Sequence, residues 1–149
     1  MVCARPHSGY PFPMSNVIYA FRVSDELFRL TTEAIRTRSL ATRRFETVSS
    51  TALYGLEKFL DMPDFELMLE RASTIEDNGE NRVGFRIQID QKALFQAARD
   101  RATTDPTTPA TARFLLTVSM LCVFDCAIRR EVPTNAKKNI DSLSGYNRI

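Results

Sequence analysis

Histidine occurs once in this chain, tryptophan not at all, cysteine three times and glycine five times among 149 residues. The lone histidine, His7, lies in a proline-rich N-terminal stretch. It leaves no partner for a nucleophilic triad and too few ligands for a histidine metal site. Cys122 and Cys126 are one helical turn apart and share a face, but Cys3 and His7 are far off in sequence. The thiols therefore read as small apolar side chains of a reduced, cytoplasmic protein, with no metal. The few glycines form no phosphate-cradling loop and no Gly-x-Ser-x-Gly elbow. Neither an enzyme nor a bound cofactor is expected. Long apolar runs are also missing: Phe114 to Ile128 is broken by Thr117, Ser119 and Asp125 and is too short to cross a bilayer. Residues 1–14 lack the apolar core of a signal peptide and read as a flexible arm, in which Met14 is a second candidate start.

The charges nearly balance, 20 Lys and Arg against 18 Asp and Glu for a net charge of +2, but their distribution is uneven. Residues 61–80 hold seven carboxylates against Arg71, a local charge of −6, so the remainder carries +8. Taken alone, such a run is a solvated linker. It matters because the segments on either side share one pattern.

In the first half, Tyr19, Phe21 and Val23 alternate with Ala20 and Arg22, the period of a half-buried strand. Ser24 is placed to cap a helix, with Asp25 and Glu26 in its positive first turn. Leu27, Leu30, Thr31, Ala34 and Ile35 form its apolar stripe. The polar stretch Thr37–Ala41 reads as a turn and Thr42 as the next N-cap, with Thr47 or Ser49 as alternatives. Phe45, Val48, Ala52, Leu53, Leu56, Phe59 and Leu60 then fit one buried helical face, ending at Pro63.

The second half repeats this order, with Phe85 expected to correspond to Tyr19 and Ile89 to Val23. Phe85, Ile87 and Ile89 alternate with Arg86 and Gln88. Asp90 is the cap expected next, followed by a stripe of Ala93, Leu94, Ala97 and Ala98. After the turn Asp105-Pro106-Thr107, Thr108 is expected to cap the last helix, with Pro109 in first position. The interval from strand end to second cap is then equal in the two halves, Val23 to Thr42 and Ile89 to Thr108.

The last helix is apolar on nearly every side, from Phe114 to Phe124, so it belongs at the centre of a helical body. One strand–helix–helix unit can neither cover it nor give its strand a ladder partner. Two units can do both. The expected fold is mainly α with a two-stranded antiparallel ribbon, β-α-α used twice in one chain. Repeat one spans 15–61, an acidic linker 62–81 (with a short helix over 64–72 and a turn at Asn78-Gly79), and repeat two 82–132. A polar tail, 133–149, contains Lys137 and Lys138.

Strand, helix, turn and capped helix, used twice about a two-fold axis, resemble the ribbon-helix-helix DNA-binding fold. With its tandem arrangement and the run Met62-Pro63-Asp64-Phe65 after the second helix, the sequence is most similar to the TraY-type accessory proteins of conjugative plasmids, over roughly residues 15–131. The resemblance implies a ribbon in the major groove of duplex DNA, its outward side chains reading base edges. Here these are Ala20 and Arg22, and Gly84, Arg86 and Gln88. Arg suits guanine and Gln suits adenine. It also implies phosphate contacts at the N-terminus of each second helix: Thr42, Arg43 and Arg44 in the first copy, Thr107, Thr108 and Arg113 in the second. Ala-x-Arg against Arg-x-Gln implies an asymmetric DNA site. The implied role is a relaxosome accessory protein at a plasmid transfer origin, with a relaxase as partner, folded as a monomeric pseudo-dimer and cooperative on DNA. A ribbon-helix-helix transcriptional repressor is the nearest alternative. A helical protein–protein module that never touches DNA is the alternative of another class.

Overall fold

A computed structural model describes residues 16–127. The expected arm, the polar tail, Cys3, His7 and Met14 lie outside the described residues. In chain order come β1 (Val17–Val23), α1 (Asp25–Thr42), α2 (Val48–Asp61), α3 (Phe65–Ser73), β2 (Asn81–Ile87), a 3-10 turn (Ile89–Gln91) and α4 (Lys92–Ala102). A last helix, α5, covers 112–127. The protein is mostly helical with one two-stranded antiparallel sheet, and no described helix is long and apolar enough to cross a membrane.

β1 and β2 pair from Val17↔Ile87 to Val23↔Asn81, with Ala20 opposite Gly84 at the centre. The antiparallel pairing is the one expected from two strand–helix–helix units in one chain, but β2 starts before Phe85 and ends at Ile87 rather than Ile89. Gln88 is the cause. Its backbone N–H donates to the Gln91 side chain (2.9 Å), and the reciprocal cap turns the chain into a 3-10 turn. Ile89, expected in the core, is consequently 60% exposed. Asp90 lies inside that turn and is not the helix cap.

The sheet's inner face is aromatic. Tyr19 stacks on Phe95 at 4.9 Å between ring centroids and lies 5.6 Å from Phe85. Phe21 meets Phe85 edge-on at 6.1 Å. Such pairs add roughly 0.5–1.5 kcal/mol each beyond the area they bury. Phe95, absent from the expected stripe of α4, is thus the residue that joins this helix to the ribbon. With Ala98 and Ala102 it forms the buried line, whereas Ala93 and Ala97 are exposed.

α1 starts as expected, with Ser24 Oγ accepting from Leu27 N at 3.0 Å. It does not stop at Thr37. Thr37 and Thr42 donate their hydroxyls to the carbonyls of Glu33 (2.9 Å) and Arg38 (3.0 Å), which keeps polar side chains within the helix. Arg43 ends it in the left-handed region (φ 61°), its N–H bonded to Ser39 O. Phe45, expected on a buried face, is 99% exposed in the loop that follows.

Residues 115–123 of α5 are all buried, as a central helix requires. Its buried hydroxyls are satisfied locally: Ser119 Oγ donates to Leu116 O (2.7 Å) and Thr117 Oγ1 to Arg113 O (3.2 Å). α5 crosses α2 where Gly55 meets Ser119. A Cβ at position 55 would fall 2.1 Å from the Ser119 carbonyl oxygen, so only glycine permits this approach. The two strands are offset by a shorter interval than the expected one: Val23 ends its strand as Ile87 does, not as Ile89. The same interval separates Ala20 from Gly84, Thr47 from Thr111 and Gly55 from Ser119.

This crossing yields a test of the packing. Gly55→Leu should destabilise the chain by more than the roughly 1–3 kcal/mol usual for overpacking, because the obstacle is backbone. Thermal denaturation reads the loss. Leu53→Ala, half-buried and away from the crossing, should cost less.

Candidate nucleic-acid interface

Alternation sends Ile18, Ala20 and Arg22 of β1 and Arg82, Gly84 and Arg86 of β2 to solvent. In register, Ile18 faces Arg86, Ala20 faces Gly84 and Arg22 faces Arg82. The centre of this face is nearly bare of side chains, and three guanidinium groups surround it. Like charges placed directly opposite in a ladder disfavour pairing, and Arg22 stands directly opposite Arg82. Arg22 is held by Glu80 (Nη1 to Oε1, 3.1 Å), an exposed ion pair of little strength.

Of the five outward positions expected, Ala20, Arg22, Gly84 and Arg86 lie on this face. Gln88 does not. It is exposed, but it caps the 3-10 turn beyond the end of β2. Ile18 and Arg82 were not among the expected readers. Arg82 was detectable, since Arg82-Val83 continues the alternation of β2 toward the N-terminus. Ile18 is 64% exposed, which an apolar residue at a strand start does not advertise.

Most residues expected to contact phosphate do not stand at helix N-termini. Thr42 is the last residue of α1, Arg43 is its C-cap and Arg44 follows in the loop, so none heads a helix. The second helix is capped by Thr47, one of the alternatives named above. Thr47 Oγ1 accepts from Ser50 N (3.0 Å), and Ser50 Oγ accepts from Thr47 N (2.9 Å). This reciprocal box satisfies two amides where Thr42 offers no such partner. In the second half, Thr107 and Thr108 belong to a turn around Asp105. The Asp105 carboxylate accepts from the Thr107 amide (3.0 Å) and hydroxyl (2.8 Å), which lowers its pKa. Thr111, not Thr108, caps α5, accepting from Phe114 N at 3.0 Å, and Pro109 precedes the helix. Arg113 is in the first turn of α5 but is half-buried, 3.8 Å from Asp77 of the acidic connector.

The N-terminus of α2 is brought to the ribbon. Ser49 Oγ accepts from the Arg86 backbone N–H (2.8 Å). Between them lies an open cleft of about 630 Å³, lined in part by Ile18, Thr47, Ser49, Ser50, Arg86 and Gln88. In any helix the first amides lack internal partners. Here those of Ser50 and Thr51 bond to Thr47, which leaves the Val48 and Ser49 amides as the helix-end donors nearest Arg86.

Glu46 holds the junction of α1 and α2. Its side chain is 5% exposed. It accepts from Ser50 Oγ (2.7 Å), Thr42 Oγ1 (2.8 Å) and Arg44 Nε (3.2 Å), and its own N–H donates to Ser39 Oγ (2.9 Å). The Ser50 bond first, then those of Thr42 and Arg44, pull its pKa down to about 2.

Among the described residues no group of three or more His, Cys, Asp or Glu side chains is placed to hold a metal ion. Cys122 is buried and Cys126 half-buried. Compared with protein-family models, curated proteins and solved structures, the chain matches none.

Glu46 makes stability depend on pH in a defined direction. A carboxylate whose folded pKa lies below its ordinary 4.5 contributes stability above that value and loses it as pH falls toward about 2. Glu46→Gln should cost about 1.5–3 kcal/mol near neutral pH, the range for hydrogen bonds to a charged group. The gap from wild type should narrow between pH 4.5 and 2 in urea titrations. A gap constant with pH would show that the charge on Glu46 is immaterial.

Proposed function

We propose that the chain is a single-chain ribbon-helix-helix protein that binds duplex DNA with the outer face of β1 and β2 in the major groove. The observation that carries this reading is the register. Ala20 and Gly84 pair with each other at the ribbon centre. They are separated in sequence by the same interval as Gly55 and Ser119, which touch where α2 crosses α5. Two equivalent positions meet on a two-fold axis and nowhere else. Both contacts are what a pseudo-dyad running through ribbon and helix pair requires. The three arginines around a bare centre, beside the N-terminus of α2, supply donors for guanine edges and a positive helix end for phosphate.

On this reading the protein folds as a monomeric pseudo-dimer in the cytoplasm and acts as a relaxosome accessory protein at a plasmid transfer origin, alongside a relaxase. The sequence resemblance supports that role. The repressor reading uses the same surface, and footprinting on a transfer origin against a promoter separates the two. Arg22 and Arg86 are equivalent under the shared interval, whereas Ile18 corresponds to Arg82 and differs from it. Asymmetry in the bound site therefore falls at the positions read by Ile18 and Arg82, not at an Arg–Gln difference.

Selection from a random duplex library, followed by anisotropy titrations, tests this. Affinity should fall with salt at a log–log slope of about −0.9 per phosphate neutralised, roughly −4 to −5 for four to six contacts. Arg86→Ala and Arg82→Ala should each relax preference at one position, costing about 1–3 kcal/mol. Glu80→Gln, which releases Arg22, should tighten binding. Affinity that is flat with salt, with no enriched sequence, would leave the helical protein–protein module as the better reading.

A further inference from the structure

We propose that this protein associates with itself head to tail, the Phe45 loop of one copy entering an acid-rimmed groove between α3 and the α4–α5 loop of the next. The proposal is independent of the DNA reading. The projecting element is the segment between α1 and α2. Phe45 is 99% exposed and Leu40, near the end of α1, is 63% exposed. Arg43 and Arg44 lie beside them, and Leu40, Arg43, Arg44 and Phe45 border one open depression. The left-handed Arg43 ends α1 and Glu46 ties the other side of the loop to Ser39, Thr42 and Ser50. Phe45 is therefore presented from a braced loop. Little backbone order has to be gained on docking, which removes part of the usual cost of association. An aromatic ring flanked by arginines has the composition of an interface anchor.

The receiving element is on the acidic connector. A groove of about 570 Å³ has Leu69, Pro109 and Phe114 in its apolar lining and Glu66, Glu70 and Asp77 among its polar residues. Asp77 is shared with Arg113 at 3.8 Å. The volume exceeds that of a phenylalanine side chain several-fold. Leu67, 57% exposed next to Glu66, extends the apolar surface outside the groove.

The choice of a second copy as occupant rests on charge. The connector carries −6 while the rest of the chain carries +8, so each copy bears both halves of a complementary pair. Arg43 and Arg44 suit Glu66 and Glu70, and Phe45 suits the apolar floor. Arg44 would exchange or share its present partner Glu46, 3.2 Å away. In the head-to-tail arrangement the loop and the groove of one copy engage different neighbours, so the contact is heterologous and does not close at two copies.

Sedimentation velocity on the full chain without DNA, from about 1 to 300 μM, tests the proposal at the affinities that small interfaces reach. Growth past the dimer is expected, weakening as salt rises. Phe45→Asp should abolish it, as should Glu66→Arg with Glu70→Arg, each with unchanged thermal stability because these side chains are exposed. Mixing the two variants is decisive. The first keeps only its groove and the second only its loop, so together they should form a one-to-one dimer that goes no further. A wild-type chain that stays monomeric, stops at a dimer, or associates equally well as Phe45→Asp would overturn the proposal. So would Phe45-dependent sedimentation with vesicles of anionic lipid when the chain alone is monomeric, since a membrane would then be the occupant.

Discussion

A strand with no neighbour leaves a row of backbone donors and acceptors unpaired, and that constraint organises this molecule. β1 and β2 are the only strands among the described residues, and each is the other's sole ladder partner. Their pairing therefore joins the start of the chain to its second half, Val17–Val23 to Asn81–Ile87. Once joined, the ribbon has one face to bury. Tyr19 and Phe85 on that face meet Phe95 of α4 and Phe21 meets Phe85, so the second half contributes the rings that the first half packs on. The exposed character of Arg22, Arg82 and Arg86 follows from the same pleat: the aromatic residues could not be inside without these being outside.

The helical body enforces the same closure from below. α5 is buried along 115–123, and it reaches that depth because Gly55 lets α2 approach the Ser119 backbone. At the far end of α2, Arg101 of α4 donates to the carbonyls of Leu60 (3.2 Å) and Met62 (2.9 Å) and lies over the Phe65 ring at 4.0 Å. One guanidinium thus satisfies a helix C-terminus and fixes the entry to α3. A second tie runs from the connector to the first half: Ser24 donates its hydroxyl to Glu76 O and its N–H to Asp77 O (3.1 Å), and Gly79 passes so close to Val23 and Ser24 that a Cβ would collide with them. The acidic segment is thereby packed onto the end of β1. It is less a loose tether than its composition suggests.

Period-two alternation identified both strands and four of the outward residues, because the sheet has one wet and one dry face and pattern reports that directly. The all-round apolarity of 114–124 identified the central helix for the same reason. What the sequence hid were boundaries set by hydrogen bonds that polar residues make with one another. Thr37–Ala41 reads as a turn, yet Thr37 bonds back into α1, as does Thr42 just beyond it. Thr42 and Thr47 are equivalent as candidate caps until Ser50 reciprocates with one of them. Gln88 and Gln91 form a cap of their own and remove Ile89 from the strand, and Asp105 gathers Thr107 and Thr108 into a turn ahead of the true cap. The misplaced caps share a cause: Thr42 bonds to Arg38 O and Glu46, and Thr108 belongs to the turn around Asp105, so neither heads a helix. The positions expected to contact phosphate depend on those helix starts and lose their place with the boundaries, while the ribbon positions, read from alternation, mostly keep their exposed face.

In the proposed pseudo-dimer, carrying both strand–helix–helix units in one chain frees the two from being identical, and the surface differs between them in a graded way. At the centre of the ribbon the equivalent positions remain alike: Ala20 and Gly84 are both small, and Arg22 and Arg86 are the same residue. Outward from the centre they diverge, Ile18 corresponding to Arg82, so one end of the face carries two opposed arginines and the other an arginine beside an exposed isoleucine. The loops before the second helices diverge further. One is braced by a buried glutamate and presents Phe45; the other is wound around Asp105 and helps to line the acid-rimmed groove. A homodimer would have to present the same loop twice. A single chain can present a projection at one and a recess at the other, and that difference lets one molecule have a direction, both along a ligand bound across the ribbon and along a row of its own copies.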